Sequence, residues 1–500
     1  MNDNLVTWIN PYETVEVSLL NKRIFSASDF IIVAVPLLWQ SLDRAQILKK
    51  LEHVHAVHSG LPYGGHRLFK ELQTVSLNWN FLSPNEKINN YSWKATEHFI
   101  AFRKETFLAL GGFDTSFTLT GSIAEFCYRV MRSGGLVEYV PPAEHVLYEN
   151  VASKTSASDV VLFAARHLSI NYARLLKFYF FLTMQPVFIS IKNFQSERND
   201  IALSGIVFNR PLKSVSEYTA IIPTILRYDY IVKSIESLKC SEFPPREIIV
   251  VDQTPIHLRK PQIYEPYIRE GILRVFYLDK PGQCTSRNLA IREARTDWLL
   301  FFEDDTVAWP GMMQEHKYLI EHSLADVSTG VSLAPWKDES YILVKNRKYH
   351  VSDVLATGNC FMKKDTALSV GGLHPAFDQG PGADDDFGRR LFLSGKLILF
   401  NYKAIQTHYK APIGGMRAHG VWWRNASSLS DAYPPPTQAF VIRKYYPSKY
   451  QILQFLIFYL KAKNNKGWAF ILHVVFFPFR IFKSIRLSSA LLKKFNNQNQ

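Results

Sequence analysis

Between residues 218 and 305 the apolar positions fall into short continuous blocks instead of alternating with polar ones. YTAIIP (Tyr218–Pro223) stops at a proline, and REIIVVDQT (Arg246–Thr254) holds four aliphatic residues before a carboxylate at Asp252. RVFYLD (Arg274–Asp279) is a third block, and DWLLFFEDD (Asp297–Asp305) runs five large apolar residues into three acids. Short apolar runs of this kind, bounded by turn residues, predict strands buried on both faces, the habit of parallel sheets. The stretch leading to Ser237 and the segment SRNLAIREA (Ser286–Ala294) predict helices between them. This βαβα rhythm predicts an α/β domain with a mostly parallel sheet. Ligands of such sheets bind beyond the carboxyl ends of the strands, where Asp252 and Glu303–Asp305 fall.

The chain also repeats itself. LALGGFDTSF (Leu108–Phe117) and LSVGGLHPAF (Leu368–Phe377) stand 260 positions apart. At that offset Arg103, Glu105 and Thr106 match Lys363, Asp365 and Thr366, and the two Gly-Gly pairs coincide. One residue of slip later, Phe126, Arg129 and Gly134 match Phe387, Arg390 and Gly395. Upstream, SDFIIVAVPLLW (Ser28–Trp39) lies over TDWLLFFEDDTVAW (Thr296–Trp309). Agreement of this extent predicts two modules of common origin. The copies part at the acids: Val35, Pro36 and Leu37 stand over Glu303, Asp304 and Asp305, while Ile123, Ala124 and Leu147 stand over Asp384, Asp385 and His408. The chain ahead of Val35 is also too short for the strands that would carry a counterpart of Asp252. The expected organisation is a degenerate, inactive partial module over 1–195, a linker over 196–216, a catalytic domain over 217–430 and a helical tail over 431–500.

Composition narrows the class. At 47% hydrophobic and 20% charged the chain is a folded protein. Its four cysteines (Cys127, Cys240, Cys284 and Cys360) show no paired spacing, which excludes a disulfide framework or cysteine zinc site and fits a reducing compartment. No signal peptide is visible at the N-terminus, so a cytoplasmic location is expected. Charge is concentrated in the tail. After Asp431 there is no acid but eleven Lys and Arg, leaving only +3 of the net +14 for residues 1–431. The tail holds QILQFLIFYL (Gln451–Leu460) and GWAFILHVVFFPF (Gly467–Phe479), both short of the roughly 20 residues a spanning helix needs. Aromatic-rich runs flanked only by cations predict contact with an anionic membrane surface through residues 451–494. Cations set in an apolar tail, away from any motif-bearing domain, argue against nucleic acid as a partner.

The acidic clusters carry the chemistry. Glu303 and Asp305 share one side of an extended chain, with Asp304 facing the other way or reaching a ribose hydroxyl. Clustered carboxylates suit a hard divalent cation, Mn²⁺ or Mg²⁺, whose shell diphosphate oxygens complete. GADDDFGRRLFLSG (Gly382–Gly395) predicts a helix with Asp384 at its N-terminal end, anchored by Phe387 and Leu391. Its carboxylate is placed to accept a proton from an attacking hydroxyl. QTHYKAPIGGMR (Gln406–Arg417) puts His408 at a strand end as a third candidate metal ligand.

Taken together, IIPT, IIVVDQT, SRNLAI, FFEDDT, VGGLHPAF, GADDDFGRRL and THYK resemble the inverting family-2 glycosyltransferases, in that family's order, over Glu217–Asn425. The resemblance implies a GT-A, Rossmann-like catalytic domain. It implies that Pro223, Thr224 and Asp252 line a nucleotide pocket, that Arg287 meets the base or diphosphate, and that Glu303–Asp304–Asp305 stands at the DxD motif. Asp304 would then serve the nucleotide sugar, Asp305 would be the main metal ligand, and His408 would complete the site. Asp384 falls on the catalytic base, and Trp422, Trp423 and Arg424 fall on an acceptor segment. Ala383 replaces the usual Glu, leaving Asp384 and Asp385 open as the base. VDQT stands for the usual VDDGS. The implied activity is metal-dependent, inverting transfer from a nucleoside-diphosphate sugar to a hydroxyl of a glycan or lipid-linked glycan. Its expected setting is surface polysaccharide biosynthesis, peripheral on the inner face of the cell membrane. The rival reading is a non-catalytic glycan- or nucleotide-binding scaffold built from decayed modules.

Overall fold

The computed structural model describes residues 6–9, 16–25, 29–34, 44–52, 54–58, 99–133, 135–140, 157–168, 170–182, 210–336, 349–412, 432–445 and 468–496, with positions 187, 451, 454 and 455. The chain divides into two compact units, residues 1–208 with 346–351, and residues 209–345 with 352–500.

The first unit is built on β1 (Val6–Ile9), β2 (Phe30–Ala34), β3 (Ala56–His58), β4 (Phe99–Arg103) and β5 (Val137–Tyr139), in the order β1-β2-β4-β3-β5. Its helices are α1 (Val17–Phe25), α2 (Arg44–Leu51), α3 (Lys104–Ala109), α4 (Leu119–Arg132), α5 (Ala157–Phe163) and α6 (Ile170–Leu182). The apolar runs FIIVA and FIAFR become β2 and β4, and their inward residues pack on the helices. Phe113 lies edge-on to Phe102, Phe107 and Phe126 with ring centroids 5.7, 5.1 and 5.1 Å away, a geometry that favours the positive edge of one ring on the negative face of the next.

The second unit carries β6 (Thr219–Thr224), β7 (Glu247–Asp252), β8 (Leu273–Tyr277), β9 (Trp298–Phe302), β10 (Thr306–Ala308), β11 (Val327–Leu333), β12 (Asn359–Lys363) and β13 (Ile398–His408). Their order is β10-β13-β11-β12-β9-β6-β7-β8. Helices are α7 (Tyr228–Lys239), α8 (Glu265–Arg269), α9 (Gln283–Glu293), α10 (Met312–Glu321), α11 (Lys364–Leu368), α12 (Ala383–Leu393), α13 (Pro436–Tyr445) and α14 (Trp468–Asn496). The half formed by β9, β6, β7 and β8 is parallel throughout, and β7 and β9 are buried along their whole length. The other half is mixed: β12 is antiparallel to both β9 and β11, and β10 is antiparallel to β13. With β11 and β13 also parallel, the sheet is mostly parallel, as the sequence pattern suggests, and three pairings among the described residues are antiparallel. An antiparallel neighbour needs no crossover helix, and among the described residues none stands between β11 and β12.

Taken by itself, each unit shows the same five-strand arrangement. The series β1-β2-β4-β3-β5 repeats β6-β9-β12-β11-β13, with the sense of each pairing preserved: parallel, antiparallel, antiparallel, parallel. The two Gly-Gly turns also coincide in conformation. Gly111 and Gly112 have φ of 77° and 82°, and Gly371 and Gly372 have 76° and 69°, a region that strongly favours glycine. The amide of Gly112 donates to Phe107 O at 2.9 Å, and that of Gly372 to Ala367 O at 3.0 Å. Among the described residues the first sheet has no counterpart of β7 or β8. Residues 10–16 alone join β1 to α1, where the second unit places residues 225–282 between β6 and α9.

Among the described residues no helix is long and apolar enough to cross a membrane. The tail's two helices bond to each other, Arg443 Nη1 on α13 donating to Ser488 Oγ at 3.0 Å and Ser489 Oγ at 2.6 Å on α14. Helix α13 packs on its own unit through Lys444 Nζ, which donates to Asp386 Oδ1 at 2.8 Å.

Candidate functional site

Strand β9 ends at Phe302, and the chain then turns through Glu303, Asp304 and Asp305 before β10. Strand β13 runs antiparallel to β10, so that His408 lies opposite Thr306. This register sets His408 Nε2 3.3 Å from Asp305 Oδ1 and 3.4 Å from Glu303 Oε2. One ligand atom from each of the three residues fits within 4.8 Å of the others. Two carboxylates and an imidazole in that space suit Mn²⁺ or Mg²⁺. Asp305 Oδ1 is buried and accepts no hydrogen bond among the described residues, an oxygen left for a cation. Burial would raise the Asp305 carboxyl, but His408 and Arg227 outweigh it and hold the group below its ordinary value. Burial likewise opposes the charged form of His408, yet Asp305 and Glu303 raise the imidazole above its usual value.

Asp304 turns the other way, as strand alternation predicts, but it meets protein. Thr224 Oγ1 donates to Asp304 Oδ2 at 2.7 Å, and Arg227 Nη1 donates to Asp304 Oδ1 at 2.7 Å. Burial pushes the Asp304 carboxyl up to about 6 in spite of Arg227, and the neighbouring charge of Asp305 adds to the rise. Arg227 also stands 3.2 Å from Asp305 Oδ2. It was not among the residues the sequence pointed to. Its position follows from Leu226, which adopts φ of 56° and turns the chain out of β6 toward the acids.

Asp252, at the end of β7, is fully buried. Tyr228 and Tyr264 hydroxyls donate to its Oδ2 at 2.9 and 3.1 Å, and the Thr254 amide donates to Oδ1 at 2.9 Å. Its carboxylate is thus engaged by the protein itself, below the surface that Pro223 half exposes. Arg287, nearly buried on α9, donates from Nη1 to Gln283 O at 2.9 Å and sets Nη2 3.8 Å from Glu303 Oε1. Its Nε has no hydrogen-bond partner among the described residues.

Asp384 begins α12 behind Gly382, a left-handed N-cap. Asp384 is exposed at the surface, with its carboxyl turned against Thr357. Partial desolvation by the surrounding protein pushes that carboxyl up to about 6, against the hydrogen bond from Thr357 Oγ1 and the charge of Arg287. Thr357 links this acid to the metal-site carboxylates. Its neighbour Gly358 lies so close to Glu303 that an added Cβ would come within 2.7 Å of the Glu303 carboxyl carbon. Glu303 and Asp384 therefore face one short turn. Asp385 is half-exposed beside Asp384. Asp386 is fully buried and holds the fold: it accepts from Arg390 Nε at 2.7 Å, Lys444 Nζ at 2.8 Å and Tyr445 OH at 2.8 Å.

Trp422, Trp423 and Arg424 lie outside the described residues. A different aromatic residue stands near the site: Trp336, three residues past β11, is 68% exposed with Lys410 Nζ 5.8 Å from its ring centroid. Lys410 follows His408 by two positions, and the Ala411 amide donates to Asp305 Oδ2 at 2.9 Å. No motif marks Trp336 in the sequence, since its meaning comes from exposure.

Residues 219–364 match the family model described as Glycosyl transferase family 2. No curated protein matches the chain. Among solved structures, mannosyltransferase PcManGT from Pyrobaculum calidifontis, in complex with GDP-Man and Mn²⁺, is 16% identical at a TM-score of 0.38, with 68% of this chain and 91% of that one covered. TarS 1-349 of S. aureus in complex with UDP-GlcNAc is 17% identical at a TM-score of 0.35, with 52% and 71% covered. GalNAc-T7 with UDP, GalNAc and Mn²⁺ is 12% identical at a TM-score of 0.35, with 50% of this chain covered, and the match spans only 57% of GalNAc-T7.

Proposed function

We propose that this chain, which carries a glycosyl transferase family 2 domain over residues 219–364, moves a sugar from a nucleoside diphosphate to a hydroxyl of a glycan or lipid-linked glycan, inverting the anomeric carbon. The observation that supports it best is the meeting of Glu303, Asp305 and His408 with Asp384 across the Thr357–Gly358 turn. Those three residues would hold Mn²⁺ or Mg²⁺, which when bound would offset charge on the departing diphosphate.

The protein's own groups do the rest. Asp384 takes the proton of the acceptor hydroxyl, which attacks from the face opposite the leaving group. A carboxylate near 6 suits a base working close to neutrality. Arg287 offers its unsatisfied Nε to the diphosphate. Arg227 fixes Asp304 and Asp305, and Asp304 ties Thr224 to the same turn. Asp252 serves the nucleotide pocket by holding Tyr228 and Tyr264 at the end of β7, where it pairs with Thr224. Acceptor binding falls to Trp336, Trp422, Trp423 and Arg424. Among the described residues the first unit keeps the sheet without counterparts of β7 and β8, the strands beside the nucleotide, and on this reading it is inactive. The setting is surface polysaccharide synthesis, with the enzyme peripheral on the inner face of the cell membrane.

Calorimetric titration of UDP, GDP and dTDP, with and without Mn²⁺, tests the reading in wild type and Asp305→Ala. Metal-dependent binding of one nucleotide, lost in the variant, is expected. Folded protein that binds none of them would favour the scaffold.

A further inference from the structure

Helix α14 is built inside out. From Val475 onward, its fully buried side chains are polar: Arg480, Ser484 and Ser488, four apart, are 1%, 0% and 0% exposed, with Phe477, Ile481 and Ile485 half-buried beside them. Each has a partner there. The Arg480 guanidinium lies 5.1 Å from the Tyr433 ring centroid, Ser484 Oγ donates to Pro434 O, and Ser488 accepts from Arg443. The opposite face is apolar and open. Val475, Phe476, Phe479 and Phe482 are 66%, 40%, 55% and 66% exposed, on positions that share one helical stripe. Lys483 and Arg486 are exposed on the same side one turn further on, and Lys493 and Lys494 follow in the sequence. A helix whose outer face met water would carry the reverse pattern.

We propose that this face docks into an anionic lipid surface. Val475, Phe476, Phe479 and Phe482 enter the headgroup–acyl boundary, and Lys483 and Arg486 meet lipid phosphates. Charge argues for lipid over a second copy of the chain. A symmetric dimer sets a patch against itself, so Lys483 and Arg486 would face cations, and no Asp or Glu follows Asp431 to receive them. Anionic headgroups supply the negative charge that a second copy of this face would not present. The inference deepens the peripheral placement proposed above, yet it rests on the surface of α14 and not on the catalytic reading.

The test is co-sedimentation of the full chain with vesicles of phosphatidylglycerol and phosphatidylcholine, against phosphatidylcholine alone. Wild type is expected to partition at least about tenfold better onto the anionic vesicles, less so at high salt. Phe479→Glu with Phe482→Glu, and separately Lys483→Glu with Arg486→Glu, are each expected to lower partitioning by about tenfold or more. All four side chains are exposed, so thermal melting and nucleotide binding should be unchanged. Equal partitioning of both variant pairs, or none by wild type, overturns the proposal. So does a concentration-dependent dimer in sedimentation velocity that the Phe pair abolishes. Failure of nucleotide binding alone would count against the transferase reading and leave the vesicle result standing.

Discussion

Arg227 Nη1 lies 2.7 Å from Asp304 Oδ1 and 3.2 Å from Asp305 Oδ2, so one guanidinium spans two consecutive acids. Asp304 is 4% exposed and Asp305 1%. Removing the cation leaves buried negative charge without its counter-ion, which costs about 3–5 kcal/mol. Arg227→Ala should therefore unfold at markedly lower urea, and Arg227→Lys should restore part of the loss, because one nitrogen, Nη1, makes both contacts and an ammonium can supply that point charge. Wild-type stability in Arg227→Ala would mean that another group compensates the pair.

Asp384→Asn is expected to abolish transfer while leaving nucleotide affinity within a factor of about two, since the amide cannot accept the acceptor proton. Near-wild-type turnover would move the role to Asp385.

The pH profile gives a second view of the same group. A base whose carboxyl sits at about 6 should show turnover falling about tenfold per unit below that pH and flat above it. The Thr357 hydrogen bond lowers the Asp384 value, so Thr357→Val should raise it and shift the acidic limb to higher pH. An unmoved limb would detach Asp384 from the rate.

Trp336 offers an exposed ring beside a lysine, a surface on which the C–H face of a sugar can stack. Trp336→Ala should raise the acceptor KM several-fold and leave nucleotide binding intact. Unchanged acceptor kinetics would remove Trp336 from the acceptor site.

Asp386 predicts acid sensitivity. Burial would raise its carboxyl, but Arg390 and Lys444 outweigh it and hold the group at about 2. The folded value lies below the unfolded one, so the stabilisation is present above about pH 4 and is lost as pH falls toward 2. Asp386→Asn should cost about 3 kcal/mol at pH 7 by urea denaturation, and the difference should narrow below pH 4. A constant difference across that range would assign the loss to packing.

The parallel half of the sheet was legible because β6, β7 and β9 each carry a continuous apolar run, and Glu303 and Asp305 do come together, though in the turn after β9 and not along a strand. The direction of β12 was not legible, since NCFMK is equally apolar read either way. The Gly-Gly turns showed the repeat, but its best marker escaped notice. Asn21 Oδ1 accepts from the Phe113 amide at 3.0 Å, and Asn288 Oδ1 accepts from the Leu373 amide at 2.8 Å, each pinning a helix to the residue after the turn. A polar residue on a helix, at an offset different from that of its partner, leaves no pattern to find. Arg227 escaped for a similar reason, since its contacts lie 77 positions away. The apolar run of α14 was plain, but which side faced outward depended on Arg480 and two serines being drawn inward.

The short passage from β1 to α1 limits what side-chain changes alone could add to the first unit. Among the described residues an acid introduced at Ile123 would have no counterpart of β7 or β8 in its sheet, and so no wall for a nucleotide. There the two sheets differ by a stretch of chain and not only by a handful of side chains. Supplying that wall would take an insertion on the scale of residues 225–282, not point substitution.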